Sequence, residues 1–179
     1  MAISRINTPI APVAPTTTAG GLVDIYLQVH GVSGEATDMN HKEWINVESI
    51  TGGVANAGAM AYGGGGGSGK SQWQDLTVQC KFEKSYPTLM QMCAAGQHIP
   101  SVRISACKAG GTQQEFMHII MTDVIITSVN MAGAVSTEPM FDVSFNFTQI
   151  VVTGRAQTAT GEMGASVMAG WDVKQNIKI

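Results

Sequence analysis

The residues with the clearest potential for chemistry form a glycine-rich run, residues 63–71 (GGGGGSGKS). Gly64 to Ser71 fits G-x-x-x-x-G-K-[ST], a loop whose backbone N–H groups cradle phosphate. Such a loop needs a buried strand before it and a helix after it. Residues 55–62 are small and predict a loop, and residues 74–83 are apolar at every second position, which predicts a strand. The context therefore disfavours nucleotide binding, and we predict a long connector that becomes ordered against a partner.

Other chemistry-bearing residues do not form a recognised catalytic or metal-binding pattern. The sequence lacks a serine in the G-x-S-x-G frame of many hydrolases. Zinc binding by Cys93, His98 and Cys107 is possible by residue type, but their spacing matches no familiar site. Asp123 follows an apolar run and resembles a Walker-B acid, although a buried strand with one polar residue is the simpler interpretation. We predict no enzyme, no metal and no cofactor.

The composition points to a protein whose surface is partly covered by other subunits. Only 13% of the 179 residues are charged, about half of the ~25% that is usual for soluble domains. Protein interfaces are depleted in charge at their centres, so this composition favours an oligomer. The net charge of −3 gives no reason to expect a nucleic-acid or acidic-lipid partner.

The cysteine content and hydropathy suggest where the protein folds. Three cysteines without a C-x-x-C pair do not make a disulfide framework and suit a reducing cytoplasm. No apolar run approaches the length of a transmembrane helix, so we predict no membrane insertion. Pro9, Pro12 and Pro15 interrupt the N-terminal segment, which is therefore not predicted to be a signal peptide.

The periodicity predicts a mainly β fold with seven or eight strands. One helix is also predicted, at residues 85–96. It has Ser85 as a candidate cap, Gly96 as its stop and an apolar stripe of Leu89, Met90 and Cys93. A shift of parity within residues 141–152 predicts a bulge or corner near Gln149. The pattern suits a small antiparallel β-barrel, or two packed sheets, with a long extended loop. The predicted strands are 22–30, 44–50, 72–84, 101–109, 115–129, 141–152 and 171–179, with one helix at 85–96 and a loop at 153–169.

The outward faces of the best strands carry small neutral polar groups where a solvent-facing strand usually carries charge. We interpret these faces as subunit contacts or as the wall of a wet channel. The residues concerned are Thr77, Gln79, Ser144, Asn146 and Thr148.

An ordered set of short motifs resembles the haemolysin-coregulated proteins (Hcp), the tube subunits of bacterial type VI secretion systems. The resemblance covers about residues 22–179, and no single motif is specific. The segments that carry it, in family order, are Gly69-Lys70, Asp75-Leu76, residues 84–89 (KSYPTL), 96–100 (GQHIP), 108–111 (KAGG), 141–152 and 170–176 (GWDVKQN). Family members usually begin almost at the first strand, so residues 1–20 are a departure. We predict a flexible extension at 1–20 and a single barrel domain at 21–179.

The resemblance implies a homo-hexameric ring that stacks into a tube inside a contractile sheath. The tube, tipped by a spike protein, is driven into a neighbouring cell and carries small effector proteins in its lumen. The protein would leave the bacterial cytoplasm without a signal peptide. The loop between the second and third predicted strands would reach the neighbouring ring through Tyr62, Gly63, Gly64, Gly65, Gly66, Gly67, Ser68, Gly69 and Lys70.

The main alternative is a monomeric β-barrel binding module. A second alternative is an enzyme, either a P-loop NTPase or a small hydrolase. The low charge content argues against the monomer because a lone barrel would expose its whole surface to water. The period-two pattern after Lys70 argues against the P-loop.

Overall fold

The computed structural model describes residues 23–58, 68–108, 113–157 and 163–179. Within these ranges the chain forms eleven strands and one helix. They are β1 (Val23–Val29), β2 (Ile45–Val47), β3 (Ser49–Thr51), β4 (Val54–Gly58), β5 (Ser68–Trp73), β6 (Leu76–Lys81), α1 (Tyr86–Ala94), β7 (Ile99–Lys108), β8 (Gln114–Ala134), β9 (Thr137–Gln157), β10 (Met163–Asp172) and β11 (Ile177–Lys178).

Nine strands form one curved antiparallel sheet, and β4 and β5 form a separate ribbon. The main path is β11-β10-β9-β8-β7-β1-β2, and β6 joins β9 to β3. Only Glu48 separates β2 from β3, and its N–H donates to the carbonyl oxygen of Gln79 on β6 (2.8 Å). The pairings therefore lead from β6 through β9, β8, β7 and β1 back to the β2–β3 segment. The mainly antiparallel β class is confirmed, and the pairings are those of the expected small barrel.

The core forms where strands with alternating apolar and polar residues turn their apolar faces inward. Val78 and Cys80 of β6 are fully buried, as are Val143 and Phe145 of β9. Their neighbours on the same strands point outward, as the period of two requires. β7 differs because Ser105 and Cys107 on its other face are buried too, together with the inward-facing Val102, Ile104 and Ala106.

The predicted corner near Gln149 involves two strands. Buried residues skip from Phe147 to Ile150 in β9 and from Met121 to Val124 in the neighbouring β8. Asp123 has a φ of 51°, a left-handed conformation that rotates the following side chains to the other face. The register continues through this point without a bulge. On this edge β9 pairs with β6 before the corner and with β10 after it.

Helix α1 begins after Ser85, has Pro87 in its first turn and ends before Gly96, whose φ is 58°. The stop at Gly96 agrees with the prediction, whereas Ser85 stands at the N-cap position without a side-chain capping hydrogen bond. The predicted apolar stripe is partly wrong, since the buried side chains are Leu89 and Met92 whereas Met90 is exposed. Residues three apart share a helix face, and Met90 is rotated away from that face.

Several predicted elements need correction. The range 153–169 is not a loop, because β9 extends to Gln157 and β10 begins at Met163. The second predicted strand is divided between β2 and β3, and the third between β5 and β6. The last is divided by a turn before β11, so the predicted seven or eight strands become eleven. Residues 55–58, for which a loop is predicted, belong to β4, because Ala55, Asn56 and Gly58 pair with β5.

Candidate interaction surfaces

The end of the glycine-rich run is a strand and not the start of a helix. Lys70 lies inside β5, which pairs with β4 through Asn56↔Ser71 and Val54↔Trp73. This excludes the strand–loop–helix arrangement that a P-loop needs. The hydroxyl of Ser71 donates to Oδ1 of Asn176 (2.9 Å), which ties the ribbon to the turn before β11.

The remaining residues of the predicted ring-stacking loop, from Tyr62 to Gly67, lie outside the described residues. The base of the predicted connector, however, is already a pair of strands within the single chain. A role of residues 62–70 in stacking stays a prediction.

The predicted polar faces of β6 and β9 form a hydrogen-bonded surface. The hydroxyls of Thr77 and Ser144 lie 2.8 Å apart. Asn146 donates from Nδ2 to Oδ1 of Asp75 (2.8 Å), and Thr127 of β8 donates from Oγ1 to Oδ2 of the same carboxylate (2.6 Å). The surface is therefore built across three strands around one aspartate.

A second aspartate organises the same surface at the corner. Thr148 donates from Oγ1 to Oδ2 of Asp123 (2.8 Å), and Nδ1 of His98 lies 2.9 Å from Oδ1. These hydrogen bonds, from His98 first and Thr148 second, hold the pKa of Asp123 below its usual value. Asp123 is thus an exposed, ionised group with its own partners. It lies inside β8 between the buried Met121 and Val124, which agrees with the interpretation of a buried strand that carries one polar residue.

Gln79 completes the predicted set at the far end of the surface, opposite Asp142 on β9 and Ser49 on β3. The interpretation as a neutral face needs correction, because three carboxylates belong to it, those of Asp75, Asp123 and Asp142. Sequence reasoning missed Asp75 and Asp123 since each lies where the strand alternation is broken. Their hydrogen-bond partners lie 25 to 71 positions away, so the contacts become visible only once the strands are paired. The five residues are now placed, but their role as subunit contacts or lumen wall stays a prediction.

A second polar cluster lies between the 38–41 turn, β7 and β8, with His41 and Ser105 buried at its centre and half-buried groups around them. Nδ1 of His41 lies 2.7 Å from Oδ1 of Asp38, and its Nε2 lies 3.1 Å from Oγ of Ser105. Ser105 donates to Oε2 of Glu115, and Nδ1 of His118 lies 2.9 Å from Oε1. We call these five residues the buried polar chain.

Aromatic groups and one cation enclose the buried polar chain. The ring of His41 stacks on Tyr26 at 4.3 Å and meets the edge of Trp44 at 4.9 Å. Arg103 lies over Trp44 and places Nη2 3.3 Å from Oε2 of Glu115. These contacts hold the His41 ring and the Glu115 carboxylate in place relative to each other, although the two residues are far apart in the sequence.

Asp38, His41 and Ser105 follow the order of contacts found in a hydrolase triad, yet the geometry does not expose a nucleophile. Ser105 is completely buried, and its hydroxyl hydrogen is engaged by Glu115. The adjacent cleft of about 280 Å³ is lined by His41 and Glu115 but not by Ser105. The arrangement is suited to holding the turn against the barrel.

The cysteines are poor nucleophiles where the structure buries them. Burial is the main cause that raises the pKa of Cys80 to about 12, and burial also raises the pKa of Cys107. Cys80, Cys93 and Cys107 are all free thiols. The two buried thiols therefore remain protonated at neutral pH and act as small apolar groups.

Two strand segments are uncovered. Residues 165–169 of β10 and 130–134 of β8 are each five consecutive exposed residues, so neither face of these segments packs on the barrel. They include Val167 (76% exposed), Met168 (70%) and Met131 (56%), and neither segment contains a charged residue. Contiguous exposed apolar groups on a soluble protein mark interaction sites.

No helix among the described residues is long and apolar enough to cross a membrane.

The chain matches the family model described as "Type VI secretion system effector, Hcp" over residues 26–153. It is 36% identical over 159 residues to protein hcp1 of Pseudomonas aeruginosa, covering 87% of this chain and 98% of that protein.

Solved structures agree with these sequence matches. A structure of a type six secretion system protein has a TM-score of 0.84 at 26% identity, covering 88% of this chain and 100% of that one. Hcp1 from Salmonella typhimurium has a TM-score of 0.72 at 26% identity, covering 88% and 99%. A type VI secretion system effector from Yersinia pestis has a TM-score of 0.69 at 29% identity, covering 84% and 100%. The chain therefore belongs to the Hcp family of type VI secretion system proteins.

Proposed function

We propose that this protein is the tube subunit of a type VI secretion system. Six copies close into a ring, rings stack into a tube, and small effector proteins travel in the lumen. Its partners are further copies of itself, the contractile sheath, the spike protein and the effectors. It is made in the bacterial cytoplasm and leaves the cell with the tube. Its role is structural, without catalysis.

The observation that best supports assembly is the uncovered segment at residues 165–169. A strand of a soluble monomer usually packs one face on its core and turns a polar face to water. This segment does neither, since both faces are exposed and uncharged. Contact with another subunit would remove Val167 and Met168 from water at no cost in charge desolvation.

The polar surface around Asp75 and Asp123 supports a lumen or ring contact. The hydroxyls of Thr77 and Ser144 already bond to each other, and Thr127 and Asn146 already donate to Asp75. Such a surface offers cargo few unpaired groups, which favours weak and reversible binding. Thr77, Gln79, Ser144, Asn146 and Thr148 would belong to this wall.

The first experiment is the native mass of the purified protein. We expect a species of about 113 kDa, six times the 18.8 kDa chain, because a head-to-tail contact that closes gives a ring. Light scattering or native mass spectrometry measures it. A monomer at high protein concentration would refute the tube and support the alternative, a lone barrel acting as a binding module.

Stiffening the glycine-rich run is expected to separate stacking from ring formation. Gly65→Pro together with Gly67→Pro should impair tubes and leave rings intact, because proline fixes φ and removes a backbone donor. Gly65→Ala with Gly67→Ala is the matched control, since alanine keeps the N–H groups. Negative-stain images would show rings without tubes for the proline pair. Tubes of normal length would contradict a role of this run in stacking.

A further inference from the structure

One face of the β4–β5 ribbon rests on the barrel. In β5, Ser71 and Trp73 are half-buried, whereas Lys70 and Gln72 are exposed. Trp73 packs against the core and meets the ring of Phe147 edge-on, with the ring centroids 6.0 Å apart. Successive residues of a strand point to opposite faces, so Ser71 and Trp73 share the face that is turned to the barrel. The ribbon is therefore held at two points along β5.

The ribbon is irregular immediately beyond Ser71. Asn56 pairs with Ser71, and the next pair is Gly58 with Ser68, so two residues of β5 lie opposite one residue of β4. Such a bulge bends a strand and increases its twist. The direction in which the ribbon continues toward the glycine-rich run is thus set next to Ser71.

The acceptor of the ribbon's hydrogen bond, Oδ1 of Asn176, stands on the turn between β10 and β11. This turn is itself fixed to the barrel. The N–H of Val173 donates to the carbonyl oxygen of Thr148 on β9 (2.8 Å). The N–H of Gln175 donates to Oδ1 of Asp172 (2.6 Å), which is buried. The turn can therefore hold the ribbon in one direction relative to the barrel.

Asn176 also has the backbone conformation that the turn requires. Its φ is 57°, in the left-handed region, which glycine, asparagine and aspartate adopt more readily than other residues. One residue thus shapes the turn and provides the side-chain acceptor. The two roles can be separated by substitution, because glycine keeps the conformation and removes the acceptor, whereas aspartate keeps both.

We propose that the hydrogen bond between Ser71 and Asn176 is a latch that fixes the direction of the ribbon, and that these two are positioning residues for the stacking of one ring on the next. The inference rests on the proposed function, since it concerns the contact that the glycine-rich run is expected to make. Glycine loses more backbone freedom on ordering than any other residue. A ribbon whose base already points in one direction has less freedom left to lose when it docks.

The latch acts on stacking through the fraction of ribbons that point in the docking direction. The apparent affinity of a contact falls in proportion to the fraction of molecules in the binding-competent conformation. Loss of one hydrogen bond of ordinary strength changes such an equilibrium by about fivefold. A ring would present six ribbons to its neighbour, so the effect on stacking exceeds the effect on one ribbon.

Hydrogen exchange followed by mass spectrometry tests the latch in rings, before any tube forms. Ser71→Ala and Asn176→Gly should each speed the exchange of the β4–β5 amides by about fivefold and leave the amides of β7 unchanged. Combining the two substitutions should add little, because each already removes the same hydrogen bond. Ser71→Thr and Asn176→Asp keep the donor and the acceptor and should exchange like wild type. Gln72→Ala, on the exposed face of β5, is the matched control and should also exchange like wild type.

Tube formation tests whether the latch matters for stacking. We expect the protein concentration at which tubes appear to rise by about tenfold or more for Ser71→Ala and for Asn176→Gly, while the native mass of the ring stays that of wild type. Ser71→Thr, Asn176→Asp and Gln72→Ala should form tubes at the wild-type concentration. Light scattering gives the threshold concentration, and negative-stain images identify the tubes. Recovery with threonine and aspartate separates the lost hydrogen bond from a damaged turn.

The outcomes distinguish this inference from the proposed function. A wild-type protein that is monomeric would refute the proposed function and, with it, a role of the latch in stacking. Wild-type tubes whose threshold concentration does not change with Ser71→Ala or Asn176→Gly would refute the latch as a positioning device and leave the proposed function intact. Faster exchange in the ribbon, a higher threshold concentration and recovery by the two conservative variants together support the latch.

Discussion

Replacing Gly34 by alanine is expected to lower the free energy of unfolding by about 3 kcal/mol or more. A Cβ atom at this position would overlap the carbonyl group of Trp44 and approach the nitrogen of Ile45 to 2.7 Å. These are backbone atoms and not the ends of flexible side chains, so the neighbouring chain would have to move. Ile45 belongs to β2 and is almost completely buried, which makes such a movement costly.

The close approach at Gly34 also secures the turn that carries His41. The N–H of Gly34 donates to the carbonyl oxygen of Glu43 (2.7 Å), and the N–H of Ala36 donates to that of Trp44 (2.8 Å). A displaced Trp44 would disturb the ring contact with His41 and the stacking of Arg103. One methyl group would therefore disturb both the β2 edge and the buried polar chain.

Chemical denaturation followed by circular dichroism measures this effect. Gly53→Ala is the matched control, because a Cβ there would meet only the side-chain oxygen of Gln74, at 3.4 Å. We expect the control to unfold near the wild-type midpoint. An equal midpoint for Gly34→Ala and wild type would show that the segment from Trp44 to Ile45 can shift without loss.

The strands that sequence could predict are those with one face in the core. β6 and β9 alternate because Val78, Val143 and Phe145 are buried while their neighbours are not. The corner in β9 was predictable for the same reason, as a change in which parity is buried. What the pattern could not show was that β8 turns at the same level, because that depends on the conformation of Asp123.

β10 was not predictable from periodicity because it lacks a buried face over residues 165–169. Without a core to select apolar residues at alternate positions, its small residues look like a loop. The strand exists because β9 provides it with a hydrogen-bonding partner. The absence of a pattern thus coincides with the segment of β10 that is exposed on both faces.

The buried polar chain was also beyond sequence reasoning. His41 and Ser105 are separated by 64 positions, and Ser105 and Glu115 meet only because β7 pairs with β8. Two histidines, a serine and two carboxylates at these spacings match no motif. Only the fold shows that the site is a closed set of hydrogen bonds, with Asp38 and Glu115 as its ionised members.

Both carboxylates of this chain are held in their charged form. Burial by itself would raise the pKa of Glu115, but hydrogen bonds with Ser105 and His118 and the charge of Arg103 lower it overall. Burial by itself would also raise the pKa of Asp38. Hydrogen bonds with the His41 ring and with the N–H of Asn40 outweigh this effect, so the pKa of Asp38 is lowered as well. A lowered pKa in the folded state means that the unfolded chain binds protons more readily. The resulting stabilisation is present above the unfolded pKa and is lost as the pH falls through the folded one.

Glu115→Gln is therefore expected to destabilise the protein at pH 7 by about 1–3 kcal/mol. Glutamine can still accept from Ser105, but its amide has one acceptor oxygen and no charge for His118 and Arg103. Since the ionised carboxylate is what the variant lacks, the difference from wild type should be full above about pH 5, beyond the usual glutamate pKa of about 4.3. It should shrink as the pH falls below about 4, where wild type loses the same interaction.

Urea unfolding of both proteins across this pH range measures the difference. Glu138→Gln is the matched control, because the Lys81–Glu138 pair is exposed and surface ion pairs contribute little. A Glu115→Gln deficit that stays constant from pH 7 to pH 3 would show that the glutamate contributes by packing and not by charge. A deficit that closes with acid would establish Glu115 as the ionised group that holds β7, β8 and the His41 turn together.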